Sequence, residues 1–135
     1  AASDVYKRQE YAIADTNEVQ SVTTAAAGEC DVLYIPTDNT LASVTETVYN
    51  VVAPAKIPVI AGEEGICNGC GVATLSISYY DLGYATGEMA YEILAEGADI
   101  TTMDVRYAPN VTKKYNAKIC EELGITVPDD YVAIQ

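Results

Sequence analysis

The chain has 135 residues, half of them apolar and 20% charged, which suits one ordinary globular domain with its own core. Its net charge of −13 argues against nucleic acid as a partner, because phosphate binding needs clustered Lys and Arg. No apolar run is long enough to span a bilayer, and no histidine is present for acid–base work or metal ligation. Residues 1–9, AASDVYKRQ, carry two of the seven basic residues and read as a foreign or disordered leader, so the fold reading starts at residue 10. Tyr11 to Ala14 is a short strand candidate, and Asn17 with Gln20 resembles a capping box. Val19, Val22 and Ala26 then share a helical face that ends at Gly28. Val32 to Ile35 reads as a strand, and Leu41 to Ala53 as a helix with Leu41, Val44, Val48 and Val51 on one face, closed by Pro54. Ile57 to Ile60 is the next strand. A loop with four glycines follows, from Gly62 to Gly71, and then a strand from Ala73 to Ser78. Asp81 to Glu96 is helical, with an apolar stripe of Leu82, Ala85, Met89, Ile93 and Leu94. Met103 to Tyr107 is a strand candidate, and Thr112 to Leu123 a last helix before Gly124. This order predicts an α/β fold, a three-layer sandwich with a mainly parallel sheet.

Strand, helix and strand between Val32 and Ile60 form a right-handed βαβ unit, and such sheets bind ligands at the carboxyl ends of their strands. Two polar clusters, Pro36-Thr37-Asp38-Asn39 and Gly62-Glu63-Glu64-Gly65, therefore belong to one edge. Thr37, Asp38 and Asn39 open a helix, whose free N–H groups suit a ligand carboxylate while Asp38 suits an ammonium. The plainer reading makes Asn39 an N-cap and Asp38 a partner of the helix dipole. Glu63, first after Gly62, and Glu64 are candidates for the same ammonium, or else a solvated loop tip. Ser78, Tyr79 and Asp81 follow the fourth strand candidate. A tyrosine there suits stacking on an aromatic ligand. With 11 tyrosines and neither Phe nor Trp, Tyr79 and Tyr80 equally suit core positions. Asp15, Thr16 and Asn17 form a weaker group at the same edge.

Catalysis finds little support. No Ser or Cys stands in a recognisable setting with a base, and Gly62, Gly65, Gly69 and Gly71 match neither GxGxxG nor a P-loop. An Mg²⁺ site on Asp38 and Glu63 would need a lysine at the same edge, and Lys56 precedes its strand. Cys67-Asn68-Gly69-Cys70 lacks the second pair or the histidines of a zinc site. It also sits in a loop instead of opening a helix as a redox CxxC does. A local disulfide or two idle thiols remain. No cofactor and no metal are expected.

The phrases DVLYIPTDNT, IPVIAGEEG and ISYYDLGYATGEMAYEILAEG, in that order, resemble the C-terminal half of an ABC-transporter substrate-binding protein. The nearest resemblance is to the tryptophan/tyrosine-type family with the type I periplasmic-binding-protein fold. It runs from about Glu10 to about Val132, and the leader matches no part of it. The resemblance implies a solute-binding component of an importer, not an enzyme. It implies a small amino acid-like ligand, aromatic if the likeness extends that far, held between two lobes. The ligand contacts would follow the strands, at Thr37, Asp38, Asn39, Glu63, Glu64, Ser78, Tyr79 and Asp81. The partners implied are a membrane permease and an N-terminal lobe missing from this chain, since a two-lobed protein is roughly twice as long. Residues 79–104 would cross to that other lobe. The location implied is extracellular or periplasmic, with a lipid anchor on the full-length protein. The effector domain of a transcription regulator shares the fold and is the alternative.

Overall fold

A computed structural model describes residues 7–134; positions 1–6 of the expected leader, and residue 135, lie outside the described residues. The elements are α1 (Val19–Glu29), β1 (Leu33–Ile35), α2 (Asn39–Ala42), α3 (Thr45–Ala55), β2 (Val59–Ala61), α4 (Glu64–Cys70), β3 (Ala73–Ile77), α5 (Tyr79–Leu94), a 3₁₀ turn (Ile100–Thr102), β4 (Val111–Tyr115), α6 (Ala117–Leu123) and β5 (Val132–Ala133). The five strands lie in sequence order, β1-β2-β3-β4-β5. Every pairing is parallel except β3 with β4.

Alternation along the short strands decides what is buried. Ile35, Val59 and Ala61 face the helices and close a core with Val19 of α1, Val48 and Val52 of α3, and Ile66, Cys67 and Cys70 of α4. Burying each such Val or Ile is worth ~1.5–3 kcal/mol relative to exposing it. A second cluster, Val72, Ile119 and Cys120, lies under α6. The opposite residues of the same strands make a row across the sheet. Tyr34 stands beside Ile60, Ile60 beside Ala73, and Ile77 beside Val111. Tyr34 is 66% exposed, Leu75 58% and Val111 57%. The α/β class and the mainly parallel sheet are therefore as expected, while among the described residues the helical layer lies on one face and the other face is open.

The element boundaries differ from expectation at several points along the chain. Tyr11 to Ala14 forms no ladder, and β1 is left as a sheet edge. Ile13 packs against the core instead, and the Tyr11 hydroxyl donates to Glu29 at 2.9 Å. The Asn17–Gln20 capping box is absent. Asn17 N–H turns back to the Asp15 carboxylate at 2.8 Å, and Glu18 becomes the N-cap of α1. The helix expected over Leu41 to Ala53 is broken at Ser43 and Val44. There the Ser43 hydroxyl donates to the Thr40 carbonyl at 2.7 Å, competing with helix continuation. Pro54 sits inside the last turn of α3, and the turn closes at Lys56 with φ 56°.

The glycine-rich loop folds as helix α4. Glu63 caps it, its carboxylate accepting from Gly65 N–H at 2.8 Å and from Ile66 N–H. Helix-weakening glycine is retained at Gly69 because α4 packs hard on the start of α3. A Cβ at Gly69 would lie 2.1 Å from Thr45 Oγ1 and 2.4 Å from Thr45 Cβ. Met103 to Tyr107 is no strand; Arg106 there pairs with Glu92 of α5. The strand is Val111–Tyr115, paired with β3 in full register, and the last helix starts only at Ala117 behind its cap Asn116. The Tyr115-Ile119-Leu123 spacing suggested one long helix. A free edge of β3 takes the β-branched half of that segment instead.

Helix α5 has no buried residue. Its cap is Ser78, whose Oγ accepts from Asp81 N–H at 3.1 Å. Two glycine substitutions separate packing from propensity. Gly69→Ala should lower stability by ~1–3 kcal/mol through overpacking. Gly87→Ala, where nothing lies within 4 Å of the new methyl, should raise helicity and gain up to about 1 kcal/mol locally. Chemical denaturation and far-ultraviolet circular dichroism on both variants would check this; equal effects would show that the Gly69–Thr45 contact is not tight.

Candidate functional site

Parallel pairing of β1, β2 and β3 brings their carboxyl ends to one edge, and with them residues 36–39, 62–64 and 78–81. The first two groups are bonded to each other. Gly62 N–H donates to the Ile35 carbonyl at 2.7 Å, and Thr37 Oγ1 donates to the Gly62 carbonyl at 3.2 Å. A Cβ at Gly62 would come within 2.6 Å of Thr37 N, so only glycine lets the two strand ends meet this closely.

Asp38, not Asn39, is the N-cap of α2, accepting from Leu41 N–H at 2.8 Å. Asn39 is the first residue of that four-residue helix. Glu63 is likewise a cap. Both acids thus already serve backbone donors, though a carboxylate accepts about four hydrogen bonds and keeps capacity for a ligand. Asp81 accepts from Asn110 Nδ2 at 3.3 Å. Tyr79 is 62% and Tyr80 80% exposed, so neither serves as a core aromatic.

Sequence reasoning missed Lys114, Ser76 and Thr112. Because β4 runs antiparallel to β3, Thr112 stands opposite Ser76, and Lys114 opposite Thr74. Glu64, at the start of α4, completes the group. Its Oε2 accepts from Lys114 Nζ at 2.7 Å and from Ser76 Oγ at 2.9 Å. These residues, with Ser78 and Tyr79, line a cleft of about 310 Å³. The helix expected over Thr112 to Leu123 hides Lys114; only strand alternation puts Thr112 and Lys114 on one face. A larger hollow of about 430 Å³ runs along Tyr84, Glu88 and Tyr91 of α5, but its walls come from that helix and its C-terminal turn alone. The cleft at the strand ends has walls from four elements, α4, β3, α5 and β4, and the convergent polar groups that a binding site needs.

The Lys114 ammonium, and then the Ser76 hydroxyl, hold the Glu64 carboxyl below the usual carboxylate range. A depressed folded-state pKa stabilises above the unfolded-state value and is lost as pH falls through the folded one. Glu64→Gln should therefore show a shallower loss of stability on acidification below about pH 4.5 than the parent. Thermal melts across pH 3–6 would test it, and parallel curves would remove the pair from the acid response.

Four thiols are free: Cys30, half-buried, and Cys67, Cys70 and Cys120, buried. The CxxC lies on α4, not in a loop, and burial pushes the Cys67 and Cys70 thiols up to about 12. Cys70 Sγ donates to the Ile66 carbonyl at 3.4 Å. Such thiols are poor nucleophiles. Among the described residues no group of three or more His, Cys, Asp or Glu could hold a metal ion. In a thiol-reagent titration, Cys30 should react in the native state and the other three only on unfolding; rapid labelling of Cys67 or Cys70 would contradict their burial.

The fold and its edge define a class, an α/β domain with polar groups gathered at the carboxyl ends of its parallel strands. The chain belongs to the ABC transporter substrate binding protein family, whose model matches residues 5–134, a span that takes in part of the segment read as a leader. It is 38% identical over 109 residues to a tyrosine-binding protein of Clostridioides difficile (strain R20291), covering 77% of this chain and 31% of that protein. Among solved structures it resembles the ABC domain in complex with L-Trp from Streptococcus pneumoniae. The TM-score is 0.83 at 29% identity, covering 99% of this chain and 48% of that one. A ligand-free, open substrate-binding protein with adhesive properties from Clostridium difficile matches at TM-score 0.73 and 36% identity, covering 99% and 46%. A conserved domain protein of Vibrio cholerae O1 biovar El Tor matches at 0.83 and 30%, covering 99% and 46%. The chain thus spans under half the length of these relatives. The regulator alternative gains no support. Among the described residues no helix is long and apolar enough to cross a membrane.

Proposed function

We propose that this chain forms the C-terminal ligand-binding lobe of the exported, lipid-anchored solute-binding component of an ABC importer. Its ligand is an aromatic amino acid, held without chemical change between this lobe and an N-terminal one, and delivered to a membrane permease. The observation that carries this is the cleft at the strand ends, where Glu64 and Lys114 offer opposite charges beside the exposed ring of Tyr79. A zwitterion with an aromatic side chain matches that set, and the relatives named for tyrosine and crystallised with L-Trp support it. Thr37, Asp38, Asn39, Glu63, Ser78 and Asp81 extend the same wall. The chain has no histidine, and its relatives are binding proteins, which supports capture over catalysis. Residues 79–104 cross to the other lobe. Supporting this, α5 buries none of its residues here, and an amphipathic helix of 16 residues needs a surface to pack on.

Calorimetric titration of the full-length protein with L-tyrosine, L-tryptophan, L-leucine and a hexose would test the reading. The aromatic amino acids should bind at least about tenfold more tightly than leucine, a difference of ~1.4 kcal/mol, and the sugar not at all. Tight leucine binding would remove the aromatic preference, and no heat with any amino acid would overturn the proposal.

A further inference from the structure

Every polar bond in the Glu64–Lys114–Ser76 group ends on one oxygen. Glu64 Oε2 receives both Lys114 Nζ and Ser76 Oγ. That leaves Glu64 Oε1 without a hydrogen bond among those of the described residues, and two of the three Lys114 ammonium protons unspent. Ser76, only 5% exposed, anchors the carboxylate from the sheet side. The two charged side chains remain reachable, Lys114 27% and Glu64 39% exposed. Both line the 310 Å³ cleft, a volume at the lower end of the range for small-molecule sites. On the same face of the sheet, directly across the ladder from Lys114, the buried Thr74 Oγ1 has no hydrogen-bond partner. The chain has only seven Lys and Arg against twenty acids. A lysine lining the cleft is therefore a scarce positive charge in an acidic surround.

Resting on the reading of this cleft as an amino acid site, we propose that Lys114 is the specificity residue that takes the ligand's α-carboxylate, while Oε1 of Glu64 takes its α-ammonium. The pair is a ready-made counterpart to a zwitterion. Its internal bond holds both heads in place before the ligand arrives, which lowers the ordering cost of binding. Charge complementarity then rejects molecules that bring one charge only. An amine without a carboxylate leaves Lys114 unmatched and stays near a partly occupied Glu64; an acid without an amine faces Glu64 and the acids Asp38 and Glu63 beyond it. The site thereby selects free amino acids over decarboxylated or deaminated analogues of the same ring.

The test uses the full-length protein with L-tyrosine, tyramine and 3-(4-hydroxyphenyl)propionate, titrated into the parent, Lys114→Met and Lys114→Arg. Methionine keeps much of the lysine stem's volume and removes the charge. In the parent, each analogue should bind at least about tenfold more weakly than L-tyrosine. Lys114→Met should weaken L-tyrosine by about tenfold to a hundredfold and leave tyramine within about threefold. Lys114→Arg should restore part of the loss. Equal weakening of L-tyrosine and tyramine in Lys114→Met would mean a structural effect and overturn the assignment, as would unchanged L-tyrosine affinity. Should Lys114→Met fail to fold, the analogue series on the parent still decides, because tyramine binding as tightly as L-tyrosine removes any carboxylate anchor. A parent that binds no amino acid overturns the amino acid reading itself, whereas a parent that binds L-tyrosine with an indifferent Lys114 overturns this assignment alone.

Discussion

The close passage of the backbone at Gly62 is the constraint on which the arrangement of the edge depends. Gly62 N–H bonds to the carbonyl at the end of β1 while its own carbonyl receives the Thr37 hydroxyl. One residue thus ties together the chain leaving two neighbouring strands. Since Asp38 and Glu63 lie immediately beyond that tie, and each is locked as a cap, the two loops cannot move independently. A β-carbon at Gly62 would push Thr37 outward and with it the whole first turn of α2. The same logic repeats one turn further on, where Gly69 lets α4 seat on Thr45 and so sets the position of Glu64 at its start.

Glu64 and Lys114 gain their interest from a mismatch between bond quality and stabilising power. The contact is short and backed by Ser76, yet both heads are partly wet, and pairs of that kind contribute ~0–1 kcal/mol. Core packing of Ile66, Cys67 and Cys70 on Val48 and Val59 holds α4 far more firmly. The pair can therefore change partners without threatening the fold, which suits a binding group. The buried thiols show the reverse case. They fill volume in the core, and their burial removes the reactivity that a CxxC spacing would otherwise suggest.

Much apolar surface remains uncovered. Tyr34, Ile60, Leu75, Ile77 and Val111 lie in a row on the open sheet face, and α5 carries Leu82, Ala85, Met89 and Ile93 without a buried residue. A sheet with three parallel strands ordinarily has both faces covered. The relatives are about twice as long as this chain, and a longer polypeptide has the means to cover both surfaces.

Local pattern in the sequence determined the βαβ unit, the parallel sheet, the polar edge after Ile35 and Ala61, and the long helix beyond Ser78. Those features follow from apolar spacing and from capping residues, which act within a few positions. Tertiary structure alone decided the rest. Val111–Tyr115 became a strand because β3 offered a free edge, a partner 34 residues away at Ile77↔Val111 and 42 away at Ala73↔Tyr115, which no local window contains. The glycine-rich stretch became a helix because Ile66, Cys67 and Cys70 bury one face of it in the core, and Gly69 lets that helix seat against Thr45. Lys114 joined the cleft for the same reason, since its distance from Glu64 is set by strand pairing and not by spacing along the chain.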